Sequence, residues 1–215
     1  MPKFKYIIWD WNGTLLDDVD INIEIINSLL RERGLPLIDS PDKYKNLFGF
    51  PIQNFYKELG FNFEKEPFEA VARQYAFMYD EMYPSAEISF ETEELLRTFK
   101  QEGVGQVIIS ATEQKFLLKQ VTYFELEHYF TEILGTSDIY VRSKVSVAQK
   151  WMQENGISAD EVLFVGDTTH DKEVADSIGC ECILIPKGHQ SRDILTFSGA
   201  IIADSLKDIE KAVIG

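Results

Sequence analysis

Cysteine, basic residues and long apolar runs are all scarce in this sequence. Its two cysteines, Cys180 and Cys182, stand in an apolar stretch, where a thiol most often packs as a small buried side chain. The longest apolar runs, such as residues 6–9 and 162–165, are far shorter than the about 18 residues of a membrane span or the about 7 of a signal-peptide core. We therefore expect a cytoplasmic protein with two buried structural thiols.

The shortage of basic residues excludes whole classes of partner. Lys and Arg total 21 against 36 Asp and Glu, a net charge of −15, and such a surface repels nucleic-acid phosphates and anionic lipid headgroups. We expect neither nucleic acid nor a membrane surface as a partner, and an anionic substrate would need a local cation. A chain of 215 residues has room for one sizeable core and a smaller module. We expect a monomer or a small homo-oligomer.

What is present is a set of short apolar segments with helix-like segments between them. Because the apolar segments are nearly continuous rather than alternating, they suit a parallel sheet that helices bury on both faces. The predicted fold class is therefore α/β, with a Rossmann-like parallel sheet. The predicted strands are residues 4–9, 104–109, 133–134, 161–165, 182–185 and 200–202, and the predicted sheet helices are residues 91–102, 113–124, 143–155, 170–178 and 205–214.

A helical insertion separates the first two strands. Pro at the expected helix starts and Gly at the stops predict helices at residues 19–33, 41–48, 51–59 and 67–82. We expect two units, a core of residues 1–16 and 89–215 and a helical module of residues 17–88. Residues 44–83 hold twelve aromatics, which we interpret as the core packing of a small module rather than as an aromatic substrate pocket.

Chemically reactive side chains follow three of the predicted strands. Asp10 comes directly after the first strand, Ser110 after the second and Asp167 after the fourth. Asp171 follows Asp167 by four positions, one helical turn if the helix has begun. Open parallel sheets place their ligand sites at the carboxyl ends of strands. We therefore expect a carboxylate, a hydroxyl and a carboxylate pair to converge there.

The first of these segments is rich in acids and free of bases. Residues 6–30 contain five acids and no Lys or Arg. Carboxylates gathered without basic partners often share a divalent cation, and hard oxygen ligands suit Mg²⁺. Such a cation would admit a phosphate. Asp17, Asp18 and Asp20 are interpreted instead as residues of a helix start.

The site residues form an ordered set of motifs. They are Asp10-x-x-Gly13-Thr14-Leu15, Ser110, a Lys before a helix, and Gly166-Asp167-Thr168-x-x-Asp171. The set resembles the four motifs of the haloacid dehalogenase superfamily, and the helical insertion resembles the C1 cap of its phosphoglycolate phosphatase-like members. The resemblance implies a Mg²⁺-dependent phosphatase that hydrolyses a small phosphorylated metabolite through an aspartyl phosphate.

The resemblance also implies which residues hold the metal ion. Asp10 would be the nucleophile. Asp10, Asp167 and the backbone carbonyl of Asn12 would bind Mg²⁺, and Asp171 would orient the site from behind.

Phosphate binding is implied for a second group of residues. Ser110, Thr112 and Thr14 would bind phosphate oxygens together with a lysine that supplies positive charge. We choose Lys144 for that lysine because it lies between the third strand and the next helix, and Lys150 is the alternative.

One position departs from the family. Active phosphatases of this superfamily usually carry Asp two residues after the nucleophile, where this chain has Asn12. An amide cannot exchange a proton at neutral pH. Three interpretations stay open: a substrate with a good leaving group, another residue that supplies the proton, or a phosphate-binding or slow phosphoacceptor protein. On the sequence alone, Asn12→Asp is expected to speed the hydrolysis of alkyl phosphates strongly.

A phosphonatase-like activity is a lesser alternative. Phosphonatases resemble this chain in having Trp after the nucleophile, but they also need a cap lysine that forms a Schiff base. The available cap lysines are Lys43, Lys45 and Lys57. Of the histidines, we interpret His170 as a residue of a helix start and His189, which follows a strand, as facing the rim of the site.

Overall fold

The computed structural model describes residues 2–137, 139 and 144–215. Its strands form one parallel sheet in the order β3-β2-β1-β4-β5-β6, which confirms the α/β prediction. Each of the six predicted strands is present, with ends that differ by a few residues. The strands are β1 Tyr6–Trp9, β2 Gly105–Glu113, β3 Glu132–Thr136, β4 Val162–Gly166, β5 Glu181–Leu184 and β6 Ile201–Ile202.

The nine predicted helices are also present. Within the described ranges, they are joined by a further five-residue helix, α9, which is too short to show a periodic pattern, and by short 3₁₀ turns. The helices are α1 Val19–Glu32, α2 Pro41–Leu47, α3 Ile52–Glu58, α4 Phe68–Met82, α5 Phe90–Gln101, α6 Gln114–Tyr123, α7 Val145–Asn155, α8 Thr169–Ile178, α9 Arg192–Thr196 and α10 Leu206–Ile214. Ser143, where a helix was predicted to begin, lies outside the described residues.

Two apolar layers bury the two faces of the sheet. Successive side chains of a strand point to opposite faces, so Ile7 and Trp9 pack in one cluster with Leu96 of α5. Ile8 packs in the other cluster with Trp151 of α7. This double coverage explains why the strands are almost continuously apolar.

The sheet order brings the three predicted site segments to one edge. Tyr6 of β1 lies level with Gly105 of β2 and with Val162 of β4. The three strands therefore lie side by side, as predicted. The backbone N–H of Asp10 donates to the carbonyl of Val165 at 2.9 Å, which ties the end of β1 to the end of β4.

β2 is longer than the sequence predicts. It runs beyond Ile109 to Glu113, so that Ser110 and Thr112 lie within the strand, and its register with β3 is irregular between Ile109 and Glu113. The prediction ended at Ile109 because the apolar pattern stops there. Backbone pairing continues through polar residues because they face the site rather than a core layer.

Helices α1 to α4 form the insertion between β1 and β2. α1 buries Ile25, Ile26 and Leu29 and contacts α4. The two crossings between insertion and core are paired, because the N–H of Asp17 donates to the carbonyl of Glu87 at 2.9 Å. The division into a core and a separate cap of residues 17–88 stays a prediction.

Both cysteines are buried and free, as predicted. They pack beside β4 and β5, where burial raises the pKa of the Cys180 thiol to about 12. Among the helices of the described segments, none has the length and apolar character that crossing a membrane requires.

Candidate active site

Three buried carboxylates converge at the ends of β1 and β4. Asp10, Asp167 and Asp171 each offer an oxygen atom within 4.8 Å of the others. Asp10 follows β1, Asp167 follows β4 and Asp171 lies in the first turn of α8. The sheet order and the helix start together produce the convergence that the motifs predict.

Lys144 is the cation of this cluster. Its side chain is only 2% exposed, and Nζ contacts a carboxylate oxygen of Asp10 and lies 2.6 Å from Oδ1 of Asp171. Lys150, the alternative, is 72% exposed and faces Glu154 across 3.8 Å. The structure therefore places Lys144 in the site and Lys150 outside it.

Burial and mutual charge shift the pKa values of these groups. Burial raises the pKa of Asp10; Lys144 opposes this effect, and the neighbouring Asp171 and Asp167 reinforce it. Burial also disfavours the ammonium of Lys144, but Asp10 and Asp171 outweigh it and raise the pKa of Lys144. Three ionised acids and one lysine would carry two net negative charges, and the raised pKa of Asp10 opposes that fully ionised state.

Asp171 shapes the turn that carries Asp167. Its Oδ2 accepts hydrogen bonds from the N–H of Asp167 at 3.1 Å and from the N–H of Thr168 at 2.8 Å, and it forms a capping box with Thr168. Asp167 in turn accepts from the Thr14 hydroxyl at 3.1 Å and from the N–H of His189 at 2.5 Å. The Thr14 hydroxyl thus contacts a carboxylate, and its binding of phosphate stays a prediction.

Two glycines allow the chain to pass close to these acids. Gly13 has φ +72°, and a Cβ there would overlap the carboxylate of Asp167. At Gly166, a Cβ would overlap the carboxyl group of Asp171. Space therefore requires the Gly residue in both motifs, and at Gly13 the backbone conformation favours glycine as well.

Gly166→Ala should disturb the site without touching the reacting atoms. The added methyl group meets a buried carboxyl that three hydrogen bonds hold in place, so we expect the free energy of unfolding to fall by about 1–3 kcal/mol, measured by urea titration. Gly49→Ala is the control, because a Cβ there finds only an ordinary contact at 3.7 Å. Equal effects of the two variants would contradict the steric explanation.

Asn12 is held by hydrogen bonds to three side chains, those of Thr112, Asp18 and Tyr79. Its Oδ1 accepts from the hydroxyl of Thr112 at 2.8 Å, and its Nδ2 donates to Oδ2 of Asp18 at 2.8 Å. Ser110 is buried in the same wall, with its Oγ accepting from the N–H of Thr112 at 3.1 Å. The amide of Asn12 is thus matched to a carboxylate on one side and to a hydroxyl donor on the other.

Asp18 is a site residue that the sequence interpretation missed. It stands at the start of α1, but its side chain makes no capping hydrogen bond. Its carboxylate, which is completely buried, instead accepts from the N–H of Gly13 at 2.9 Å and from the hydroxyl of Tyr79 at 2.6 Å. The interpretation of Asp18 as a simple helix-start residue is therefore wrong for its side chain. The only sequence signal was the lack of bases nearby.

His189 is the cationic partner of Asp18. Its Nε2 lies 3.2 Å from Asp18 Oδ1, and its Nδ1 lies 3.0 Å from the Tyr44 hydroxyl. Burial lowers the pKa of His189, but the Asp18 carboxylate outweighs this effect and raises the pKa to about 9. His189 is buried inside the site rather than at its rim. The only sequence feature that pointed to His189 as a site residue was its position after a predicted strand.

The insertion closes over the site by contacting the loop that carries His189. Lys45 Nζ donates to the carbonyl of Lys187 at 2.9 Å, and Gln190 Nε2 donates to the carbonyl of Phe48 at 2.9 Å. The ring of Phe50 stacks on His170 with centroids 4.5 Å apart. These contacts hold the insertion against the core above Asp10.

A cavity of about 160 Å³ lies between the insertion and the three acids. Asp10, Asn12 and Lys144 are among the residues that line it. Eight of the twelve aromatics of residues 44–83 also line it, so their interpretation as core packing alone is incomplete. Those eight are Tyr44, Phe48, Phe50, Phe55, Tyr56, Phe68, Tyr75 and Tyr79.

A family described as haloacid dehalogenase-like hydrolase matches residues 7–185, which include the acids at the ends of β1 and β4. The chain belongs to this family. The predicted resemblance, and with it the prediction of a hydrolase, is confirmed.

Relatives of the haloacid dehalogenase-like chain include enzymes named phosphoglycolate phosphatase. One from Pseudomonas savastanoi pv. phaseolicola is 24% identical over 219 residues, covering 95% of this chain and 78% of the relative. Another, from Vibrio parahaemolyticus, is 23% identical over 225 residues, covering 97% and 96%. A solved structure, a predicted phosphoglycolate phosphatase from Haemophilus somnus, superposes with a TM-score of 0.80 at 24% identity and covers 98% of each chain.

Proposed function

We propose that the chain is a Mg²⁺-dependent phosphatase that hydrolyses a small phosphorylated metabolite through an aspartyl phosphate on Asp10. The observation that carries this proposal is the buried cluster of Asp10, Asp167, Asp171 and Lys144, of which Asp10, Asp167 and Lys144 line the cavity. A nucleophilic carboxylate, a cation and a second pair of carboxylates are the groups that phosphoryl transfer to an aspartate needs. The family membership supports the same reaction.

The donor set fits a divalent cation. Carboxylate oxygens are the ligands that Mg²⁺ prefers in proteins, and Asp10, Asp167 and Asp171 each offer a buried oxygen within 4.8 Å of the others. Three acids face a single lysine in this cluster, and a cation would favour the ionised form of all three. We propose that Asp10, Asp167 and the backbone carbonyl of Asn12 hold Mg²⁺, with Asp171 behind them. When bound, the ion would stabilise the negative charge of the transferring phosphoryl group.

Asp10 would attack phosphorus with one carboxylate oxygen. Lys144, which contacts Asp10, would lie beside the developing negative charge and stabilise it. Ser110 and Thr112 line the cavity, and their hydroxyl groups would donate hydrogen bonds to phosphate oxygens. Water would then attack the aspartyl phosphate, release inorganic phosphate and regenerate the carboxylate.

Asp10→Asn is the direct test of the nucleophile. The amide keeps the size of the side chain but cannot form an acyl phosphate, so we expect no phosphoenzyme in rapid-quench experiments with a radiolabelled acyl or aryl phosphate. Binding of trifluoroberyllate, measured by ¹⁹F NMR with Mg²⁺, should also be lost. Asp80→Asn is the matched control, because Asp80 lines the cavity away from the acid cluster and pairs with Lys119 at 2.7 Å. Formation of a normal amount of phosphoenzyme by Asp10→Asn would exclude this mechanism.

A slow phosphoacceptor is the second candidate function, and Asn12 is the observation that favours it. There is no acid at this position, and the Asp18 carboxylate that contacts Asn12 already accepts hydrogen bonds from Asn12, from the N–H of Gly13 and from the Tyr79 hydroxyl, which makes it a poor base for the second step. The same rapid-quench series separates the two candidates. A single stoichiometric burst of phosphate indicates a phosphoacceptor, and steady release over many turnovers indicates a phosphatase.

A further inference from the structure

The roof of the cavity is aromatic and carries little charge. Ring side chains come from α2 and the loop after it, from α3 and from α4, whereas the acids and Lys144 lie at the floor. Among the described residues of the lining, the side chains that carry or can accept a positive charge are Lys144, His189 and His170. Each already has an acidic partner: Lys144 pairs with Asp10 and Asp171, His189 with Asp18, and Nδ1 of His170 with Glu173 at 3.0 Å.

A second negative charge on the substrate would therefore be unfavourable. Its carboxylate would enter a largely apolar space in which no described cation is free to pair with it, and an unpaired buried charge is very costly. The remaining charged residues of the wall outside the floor, Asp80 and Glu113, would repel it. A charged leaving group such as glycolate is therefore disfavoured in this cavity, although the relatives above are named for phosphoglycolate.

The tyrosines offer ring surface more than hydrogen bonds. The Tyr79 hydroxyl donates to Asp18 at 2.6 Å, the Tyr44 hydroxyl contacts His189 at 3.0 Å, and the Tyr75 hydroxyl donates to Asn22. Because these hydroxyls already have partners, a bound molecule meets mainly the rings of these residues. Such surfaces prefer a flat apolar group in stacked or edge-to-face contact.

The size of the cavity suits one ring. Its volume is about 160 Å³, and an apolar cavity of about 150 Å³ is known to accept benzene. A polycyclic group or a nucleoside would need considerably more space. Because the same cavity also has to hold the phosphoryl group next to Asp10, we expect no flat group larger than a single six-membered ring to fit with it.

Asn12 points to the same kind of leaving group. A phenol has a pKa of about 10, like the tyrosine side chain, whereas an alcohol lies closer to water, at about 16. A phenolate can depart without a proton from the enzyme, but an alkoxide needs one. A site without the usual acid is therefore suited to aryl esters.

Resting on the proposed phosphatase activity, we infer that the substrate is an aryl phosphate whose leaving group is a single uncharged aromatic ring held by the aromatic roof of the cap. An oxygen of Asp10 bonds to phosphorus as the bond from phosphorus to the phenolic oxygen breaks. The electron pair leaves with the phenolate, which takes a proton from water. A water molecule then hydrolyses the aspartyl phosphate, which yields inorganic phosphate and restores Asp10.

Binding of non-hydrolysable phosphonates tests the pocket apart from turnover. With Mg²⁺ present, calorimetry should show that phenylphosphonate binds about 10-fold or more tightly than methylphosphonate, because the ring is removed from water. Phosphonoacetate should bind about 100-fold more weakly than phenylphosphonate, because its carboxylate is unpaired. Equal or tighter binding of phosphonoacetate would overturn the inference.

A charge placed in the roof tests the same point by gain of function. Ala76 lines the cavity, so Ala76→Lys should raise kcat/KM for 4-carboxyphenyl phosphate relative to phenyl phosphate by about 10-fold or more, since it supplies the missing counter-ion. Phe77→Lys is the matched control, because Phe77 is the next residue of α4 and is 66% exposed. An unchanged ratio in Ala76→Lys, or the same change in both variants, would overturn the inference.

The outcomes separate this inference from the proposed function. If wild-type protein releases phosphate from phosphoglycolate or from cyclohexyl phosphate faster than from phenyl phosphate, the aryl assignment fails and the phosphatase stands. If the protein neither binds trifluoroberyllate with Mg²⁺ nor forms a phosphoenzyme from any of these esters, the proposed function fails and the aryl assignment fails with it.

Discussion

The double variant Asn12→Asp/Asp18→Asn should hydrolyse alkyl phosphates about 10²–10⁴ times faster than the wild type, which is the usual value of general acid–base assistance. The variant exchanges the amide and the carboxylate of one hydrogen-bonded pair, whose atoms lie 2.8 Å apart. Asp at position 12 could then protonate the leaving alkoxide and activate water. Asn at position 18 would donate the hydrogen bond in the opposite direction.

Asn12→Asp alone should speed the hydrolysis of alkyl phosphates only slightly. The sequence alone predicted a strong increase for this variant. In the wild type, the Asn12 amide donates to a buried carboxylate of Asp18. A second carboxylate at that distance would be repelled, and the pair would retain a proton between them rather than hold two charges. The proton would then be engaged by Asp18 and unavailable to the leaving group.

The measurement compares alkyl and aryl esters in four proteins. Wild type, both single variants and the double variant are assayed by rapid quench, so that formation and breakdown of the phosphoenzyme are timed separately. Aryl phosphates should gain less in the first step, since a phenolate departs without a proton. A full gain in Asn12→Asp alone, or no gain in the double variant, would contradict the role assigned to Asp18.

Lys144→Met should have the second large effect, on activity and on stability together. Without the Lys144 ammonium, the negative charge on the transferring phosphoryl group is not offset. Loss of one group that stabilises such a charge typically lowers the rate by about 10²–10³-fold. Asp10 and Asp171 also lose their shared partner, with which both make contact. Breaking a buried ion pair from one side typically lowers the free energy of unfolding by about 3–5 kcal/mol.

Mg²⁺ should reduce the stability loss of Lys144→Met but not the loss of activity. The cation would offset the negative charge of the acids and so restore stability. It would not replace the hydrogen-bond donor that Lys144 supplies to the phosphate, so the activity would stay low. Denaturant titrations with EDTA and with Mg²⁺ measure the first effect, and steady-state rates measure the second. Lys150→Met is the control, since Lys150 is exposed and lies outside the site. Equal behaviour of the two variants would contradict the assignment of Lys144.

The local patterns of the sequence were sufficient for the fold. Continuous apolar segments predict the strands because helices cover both faces of the sheet. Pro and Gly predict the helix ends because each residue restricts or permits particular conformations of its own backbone. The same locality explains why Asp10, Asp167 and Asp171 were identified. Each follows a strand or starts a helix, and the parallel arrangement alone brings such positions to one edge.

Contacts between remote side chains could not be predicted in this way. Asp18 and His189 are far apart in the chain, and only the docking of the insertion onto the loop after β5 brings them to 3.2 Å. Lys144 and Lys150 both lie between β3 and β4, and burial distinguishes them.

The sequence by itself determined the α/β sheet, the helical insertion and the acids at the strand ends, because each of these depends on residues close together in the chain. The tertiary structure alone decided which lysine neutralises the acids, that Asp18 faces Asn12, and that the aromatics of the insertion line a cavity as well as fill a core. These features depend on the contacts that form when the insertion packs on the sheet, and no local sequence pattern predicts those contacts.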